Sequence, residues 1–291
     1  MRASGVELRS GHPKDQMIMK ILLAQFSATG NTAAVAEVIA DALTDLGAEV
    51  TRKEVTSFED RQERIDLDAY QAFVFGAPVY SMRAPRVMSD WWATLDGRGR
   101  KCAAFFTYGG FRAYPAHYYA KKNLEESGFT FVSSAEFPAK HSFNLGGWSA
   151  MGSRPNGSDF DAAREYARKI LKRFTGEDPD TLGALQEPEF SEEQLDRFET
   201  HRFKTVTQVP NRGGEECSLC MLCEEQCPTG AMDSEIGQAD REACIVCLRC
   251  VANCPEDALH INDLSTSWPM KLQKEGTSAE EMKNKKSRMY L

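Results

Sequence analysis

Residues 17–24, MIMKILLA, are apolar throughout except for Lys20. A run of this kind reads as a strand buried on both faces of a parallel sheet. The period then changes. Val35, Val38, Ile39, Ala42, Leu43 and Leu46 recur at i, i+3, i+4, i+7, i+8 and i+11, one face of an amphipathic helix. Gly47 ends it, and a second strand follows in AEVTRKEV. QAFVFGAPVYSMRAP (71–85) and KCAAFFTYGGF (101–111) predict two more buried strands, each running into a loop. APRVMSDWWATL (84–95), AKKNLEESG (120–128) and DFDAAREYARKILKRF (159–174) predict helices, and FTFVSSAEF (129–137) the last strand. Trp91 and Trp92 are adjacent, so only one is expected to face the core. Strands alternating with helices predict an α/β doubly wound parallel sheet.

Length and composition add a second unit. The 291 residues, 42% of them hydrophobic, suffice for one full-sized domain and a smaller one. No apolar run approaches the roughly 18 residues of a membrane span. Residues 1–16 are polar and lack the apolar core of a signal peptide. They read as a disordered extension, or as residues upstream of a later start near Met17 or Met19, and the protein is expected in the cytoplasm.

Nine cysteines are present. Cys102 lies in a predicted strand and reads as a small core residue. The other eight fall in CSLCMLCEEQCP (217–228) and CIVCLRCVANCP (244–255), both spaced C-x2-C-x2-C-x3-C-P. In a reducing compartment, clustered cysteines are more often metal ligands than disulfides. Zinc sites use two C-x2-C pairs across a longer gap, which leaves this spacing unexplained. It is the bacterial signature for two [4Fe–4S] clusters, in which the fourth cysteine ligates the other cluster. Cys217, Cys220, Cys223 and Cys254 are therefore expected to hold one cluster, and Cys244, Cys247, Cys250 and Cys227 the other. Pro228 and Pro255 turn the chain after each shared ligand. CPTGAM answers CPEDAL, as an internal repeat should. Residues 212–264 resemble the two-cluster bacterial ferredoxins, which implies a small α+β domain acting as an electron wire. Each half is too small for a core of its own, so the clusters are expected to stabilise it.

Between the first strand and helix lies SATGNT, residues 27–32. Backbone N–H groups at a helix N-terminus favour an anion, and the hydroxyls of Ser27, Thr29 and Thr32 add donors. With no lysine or arginine present, the turn suits a phosphate monoester, though a hydroxyl-rich turn can also be a plain cap. It matches neither a Walker loop nor the G-x-G-x-x-G fingerprint. Two further loops leave strands at the same carboxyl edge, where open α/β sheets bind ligands.

The stretch 17–175 resembles flavodoxin, with SATGNT matching the family's phosphate loop. The resemblance implies FMN. Ser27, Ala28, Thr29, Gly30, Asn31 and Thr32 would hold its phosphate. Ala77, Pro78, Val79, Tyr80 and Ser81, with Thr107, Tyr108, Gly109 and Gly110, would border the isoalloxazine, and Tyr80 or Tyr108 would stack on it. The glycine-rich segment 141–158 is expected as a loop near the flavin, and His141 reads as an ordinary loop histidine.

Residues 176–211 read as a linker with a short helix, opened by a capping box at Ser191 and Gln194. Gly213 and Gly214 lead into the cysteine unit. Residues 211–264 carry eleven acids and three bases, a net −8 equal to that of the whole chain. Such a surface steers basic partners and argues against nucleic acid. Residues 265–291 form a basic tail that either folds back on the acidic unit or dangles.

The whole chain resembles the EFR1-type flavodoxin–ferredoxin fusion proteins of bacteria and archaea. This implies FMN, two [4Fe–4S] clusters and an anaerobic setting. The expected function is electron transfer between low-potential one-electron carriers, the clusters and FMN. The redox partner would be a ferredoxin or a reductase or acceptor enzyme, with no side chain required as a catalytic acid or base. The alternative is an FMN-dependent reductase of a small molecule, with Tyr80, Tyr108 or His141 as proton donor. An exposed flavin edge would favour the first and a walled pocket the second. A redox sensor fits poorly, as no DNA-binding or signalling segment is visible. No nicotinamide site is evident, and a homodimer stays open as a way of bringing flavin and clusters together.

Overall fold

The computed structural model describes residues 18–202, 204 and 206–291; the expected N-terminal extension lies outside them. β1 (Lys20–Gln25), β2 (Glu49–Glu54), β3 (Ala72–Pro78), β4 (Lys101–Tyr108) and β5 (Thr130–Pro138) pair in parallel in the order 2-1-3-4-5. This is the flavodoxin-like doubly wound order, whose switch point lies between β1 and β3. The unbroken apolar runs are explained by burial on two sides. Ile21 and Leu23 face one core with Val74 and Phe105, while Leu22 and Ala24 face the other with Phe73 and Phe106. α1 (Asn31–Asp45) and α4 (Gly157–Thr175) cover the first face, and α2 (Arg86–Trp92) and α3 (Tyr114–Glu126) the second. Cys102 is fully buried in the second core, as expected.

Three expectations need correction. Trp91 and Trp92 are both buried, and each meets Phe75 edge-on, at centroid distances of 6.2 and 6.0 Å. α2 stops at Trp92, and a helix end can bury side chains on more than one side. The strand at 129–137 is not the last. Residues 265–291 neither dangle nor cover the acidic unit through their charges. They form α8 (Ser267–Glu275), α9 (Ala279–Lys283) and β8 (Arg288–Tyr290), which pairs antiparallel with β5 at residues 134–136. The free edge of β5 presented unpaired N–H and C=O groups, and β8 takes them up. The Tyr290 ring lies 4.2 Å from that of His117, and its hydroxyl donates to Glu136 Oε2 at 3.4 Å. Lys271 pairs with Glu275, Lys283 with Glu280 and Arg288 with Glu136.

The connecting segment contains the expected helix, α5 (Glu192–Arg197). Ser191 N–H donates to Gln194 Oε1 at 2.9 Å, and Gln194 N–H donates back to Ser191 Oγ at 3.3 Å. The segment is anchored rather than loose, because buried Glu199 accepts from Arg83 Nη2 at 3.0 Å and from Arg86 N–H at 3.1 Å.

The cysteine-rich unit contains α6 (Leu222–Glu225), β6 (Met232–Asp233), β7 (Gln238–Ala239) and α7 (Arg249–Ala252). Its repeat is written in the backbone. Leu219 and Met221 have φ of 58° and 63°, and their counterparts Val246 and Leu248 have 53° and 61°. Left-handed backbone at branched residues is strained and persists where the surroundings enforce it. Among the described residues no helix is long and apolar enough to cross a membrane.

Removing residues 288–291 should uncover Glu136 and His117 and cost about 2–4 kcal/mol, at about 1 kcal/mol per net hydrogen bond plus the lost Tyr290 packing. Urea unfolding of the truncated and intact chains measures this; equal midpoints would show that β8 adds nothing to the sheet.

Candidate functional site

The loops after β1, β3 and β4 open on one cavity of about 750 Å³, within the size range of small-molecule sites. Ser27, Ala28, Thr29, Asn31 and Thr32 line one part, and Pro78, Val79, Tyr80, Ser81, Thr107, Tyr108 and Gly109 another. The other three expected residues stand just behind. Gly30 is the left-handed N-cap of α1, Ala77 is fully buried in the sheet core, and Gly110 packs towards Met151 and Met282.

The first loop has its acceptors engaged and its donors left over. Ser27 Oγ accepts from Ala33 N–H at 3.0 Å, and Thr29 Oγ1 accepts from Asn31 Nδ2 at 3.4 Å. Thr32 and Thr107 share a hydroxyl–hydroxyl bond of 2.7 Å that ties this loop to the end of β4. Ser27 N–H donates to Thr56 Oγ1 at 2.8 Å. The N-cap Gly30 has no side chain to cap α1, so apart from the Ala33 N–H held by Ser27 the first-turn N–H groups are left at the cavity end with the dipole behind them. Hydroxyl protons and helix-start N–H groups gathered at one end suit an anion.

The second loop is a tight turn. Tyr80 N–H donates to Arg83 O at 2.8 Å and Arg83 N–H to Tyr80 O at 3.0 Å, with Ser81 and Met82 at φ of 50° and 67°. Two positive φ values give a turn normally built from Asn and Gly. Ser81 Oγ is buried within it without a partner, a deficit that a ligand could satisfy. Burial holds the Tyr80 and Tyr108 hydroxyls well above the usual phenol range, with Cys247 next in effect on Tyr80 and Glu136 on Tyr108. Both stay neutral.

His141 lines the cavity beside them. A Cβ on Gly109 would fall 2.3 Å from His141 Cδ2, so the glycine makes room for the imidazole. Nδ1 accepts from Phe143 N–H at 3.0 Å, which places the proton of the neutral ring on Nε2. Burial, with the Lys271 charge adding, lowers its pKa to about 4.

Four further segments close the cavity: Phe143 and Trp148 of the glycine-rich loop, Phe190, Phe198 and Glu199 of the connecting segment, Ile245 and Val246 of the cysteine unit, and Met270 and Lys271 of α8. Sequence reasoning placed the first near the site and missed the others. Phe190 and Phe198, large apolar residues in a charged segment, were the only local signal.

The eight thiols stand round two hollows. Cys217, Cys220, Cys223 and Cys254 line one, and Cys227, Cys244, Cys247 and Cys250 the other. The structure thus groups the fourth cysteine of each run with the first three of the other. Among the described residues no three His, Cys, Asp or Glu side chains close round a single ion. N–H groups donate to sulfur in matched pairs. Leu219 reaches Cys217 and Val246 reaches Cys244, both at 3.4 Å, while Ala231 reaches Cys227 and Ala258 reaches Cys254, both at 3.3 Å. Burial raises the thiols of Cys223, Cys244 and Cys250, and pushes Cys247 up to about 12. Only a bound cation would make them thiolates at neutral pH. Ile245, between Cys244 and Cys247, lines both the second hollow and the large cavity, so the two share a wall, and Val246 beside it lines the cavity.

The family model for the flavodoxin domain matches residues 22–133. Among solved structures, the chain is similar to a flavodoxin from the domain Archaea, at 17% identity over 54% of this chain and 99% of that one, with a TM-score of 0.40. It is also similar to oxidised Flavodoxin 2 from Bacillus cereus, at 20% identity over 53% and 99%, TM-score 0.43. A third is the Flv1 flavodiiron core from Synechocystis, at 18% identity over 57% and 38%, TM-score 0.42. No curated protein matches the chain.

His141 gives the site a pH signature. Its pKa is near 6.5 unfolded and about 4 folded, so the unfolded chain binds the proton first as pH falls. Stability should decline between those two values by no more than about 3 kcal/mol, then level off. Urea midpoints across this range should lose that slope in His141→Gln.

Proposed function

We propose that this chain is a flavo-iron–sulfur oxidoreductase that relays single electrons through two [4Fe–4S] clusters to FMN. The observation that carries this is the shared wall: Ile245 lines both the Cys227, Cys244, Cys247 and Cys250 hollow and the cavity at the phosphate-type loop, and Val246 beside it lines the cavity. The residues fit both groups. The donors of residues 27–32 suit a phosphate, and the unpartnered Ser81 Oγ and neutral Tyr80 and Tyr108 suit an uncharged polar ring. Two sets of four soft thiols, each with N–H donors to sulfur, suit iron–sulfur clusters. Bound FMN supplies an acceptor of one or two electrons, and the clusters supply one-electron carriers.

Exposure sets the order. Cys220 is exposed and Cys217, Cys223 and Cys254 are half-buried, whereas Cys244 and Cys247 are buried. Electrons from a low-potential partner protein enter at the first set and reach the cavity through the second. The exposed side chains of Leu219, Met221 and Leu222 beside the first set give a partner apolar contact, and the surrounding acids steer a basic one.

The walls of the cavity favour a second reading of where the electrons go. The connecting segment, the cysteine unit and α8 enclose the ring end, so a small molecule held there is the acceptor, in place of a second protein. His141 Nε2–H is then the neutral hydrogen-bond donor at that end.

Anaerobic visible spectra, titrated separately with reduced ferredoxin, NADH and NADPH, test the relay. Flavin bleaching with ferredoxin alone is expected; rapid bleaching by a nicotinamide would overturn it, as would the absence of flavin and iron–sulfur absorbance after reconstitution. Cys254→Ser should lower iron from about eight to about four atoms per chain and slow delivery from ferredoxin while flavin stays bound.

A further inference from the structure

Arg249 lies between Cys247 and Cys250 in sequence, yet it reaches into the other unit. Its Nη1 donates to the carbonyl of Ser27 at 2.6 Å, and its Nη2 pairs with Glu54 Oε1 at 3.0 Å. The side chain is 17% exposed, and its buried Nε–H has no partner. Ser27 opens the phosphate-type loop and is pinned at three atoms. Thr56 takes its N–H and Ala33 N–H binds its Oγ, both from the sheet unit, while Arg249 alone holds its carbonyl.

The neighbouring contacts have the same address. Phe58 N–H donates to Cys227 O at 3.3 Å, and Arg61 donates to Pro228 O. Among the described residues, no hydrogen bond from the sheet unit lands beside Cys217, Cys220, Cys223 or Cys254. The sheet unit therefore grips the chain round one set of thiols. That turn is strained at Val246 and Leu248, both in left-handed backbone. A filled cluster would hold the turn in shape; an empty hollow leaves little to oppose the strain.

We propose that Arg249 is a positioning residue that couples the two cofactor sites, so that FMN binds tightly only when the Cys227, Cys244, Cys247 and Cys250 cluster is in place. The coupling rests on the functional reading above. With the cluster present, the turn presents the guanidinium to Ser27 and sets Ile245 and Val246 against the cavity. When the cluster is lost, the Ser27 peptide and the wall are both released. Linkage is reciprocal, so FMN stabilises the cluster by the same factor. Loss of the cluster then disarms the flavin, and no flavin is left cut off from its electron supply.

The test is FMN affinity of the full chain, read anaerobically from quenching of flavin fluorescence, with iron content measured alongside. The cluster-loaded chain should bind FMN roughly tenfold or more tighter than the cluster-free chain, within the usual range of coupling between sites. In Arg249→Gln the two forms should bind alike. A general attraction between the cation and phosphate would weaken both forms and leave their ratio intact, which would overturn the coupling. Equal affinity of the loaded and cluster-free wild-type chain would also overturn it while leaving the relay standing. If no form binds FMN, the functional reading and the coupling both fail. Glu54→Gln frees Arg249 from outside the cysteine turn, and serves where Arg249→Gln does not retain iron. Its ratio should shrink, and an unchanged ratio counts against the proposal.

Discussion

Ile245, with Val246 beside it on the cavity side, stands between two hollows of opposite character. On one side are four thiols, Cys244 and Cys247 buried and Cys227 and Cys250 half-buried, with backbone N–H groups aimed at sulfur. On the other is a cavity whose far end offers hydroxyl protons and helix N–H groups. The wall must be apolar, because water there would screen both sites. It is one turn thick, and that turn has the same left-handed backbone at Val246 and Leu248 as its repeat has at Leu219 and Met221. Much of the rest follows from holding this turn in place: the Arg249 bridge, the grip of Phe58 and Arg61 on the chain at Cys227 and Pro228, and the burial of Cys247 in the sheet's own core.

The parts legible in the sequence are those governed by local periodicity or by exact spacing. Buried parallel strands are apolar on both faces, so β1, β3 and β4 show themselves as unbroken runs. The cysteine runs repeat at a fixed interval, and the two hollows group them as the spacing requires. SATGNT was readable as the turn between β1 and α1, and the structure places it at the N-terminus of α1 on the cavity. The hidden features depend on contacts between distant segments. β8 is three residues long and begins with Arg288; no strand signal survives at that length. What makes it a strand is the unfilled edge of β5. Phe190 and Phe198 are set in the wall by contacts from distant segments, Tyr119 to the Phe190 carbonyl and Arg83 to Glu199, the latter more than a hundred residues away in sequence. Both tryptophans of α2 are buried because the helix ends there, a boundary that periodicity does not locate.

Charge was legible in amount but misleading in use. The acidic unit and the basic tail invited a pairing between them. The tail is instead placed by backbone hydrogen bonds to β5 and by Trp268, which meets Trp148 and Phe111 at centroid distances of 5.3 and 6.2 Å. This is the order of strength expected, since exposed ion pairs contribute little and buried aromatic contacts more. The acids of residues 211–264 are thereby left to solvent and to whatever approaches the exposed thiols.

Joining the two units in one chain changes the kinetics as well as the geometry. Separate carrier proteins meet by diffusion and must find a productive orientation at each encounter. Here the contact between the cysteine turn and the cavity is made within one chain, so the encounter is replaced by a fixed wall of two side chains. A fixed wall has a drawback, because a cavity that always faces its electron source could be reduced with nothing present to receive the electrons. Enclosure by the connecting segment and α8 answers this. Both are laid over the cavity from outside the sheet and anchored there, the connecting segment by Glu199 with Arg83 and by Tyr119 to the Phe190 carbonyl, α8 by Trp268 against Trp148 and Phe111 and by the hydrogen bond from Trp148 to Ser267. On the proposed relay, the side of the cavity lined by the cysteine unit would face the electron source, and the side built from added segments would face the acceptor. That division suits a site whose supply is constant and whose acceptor must come and go.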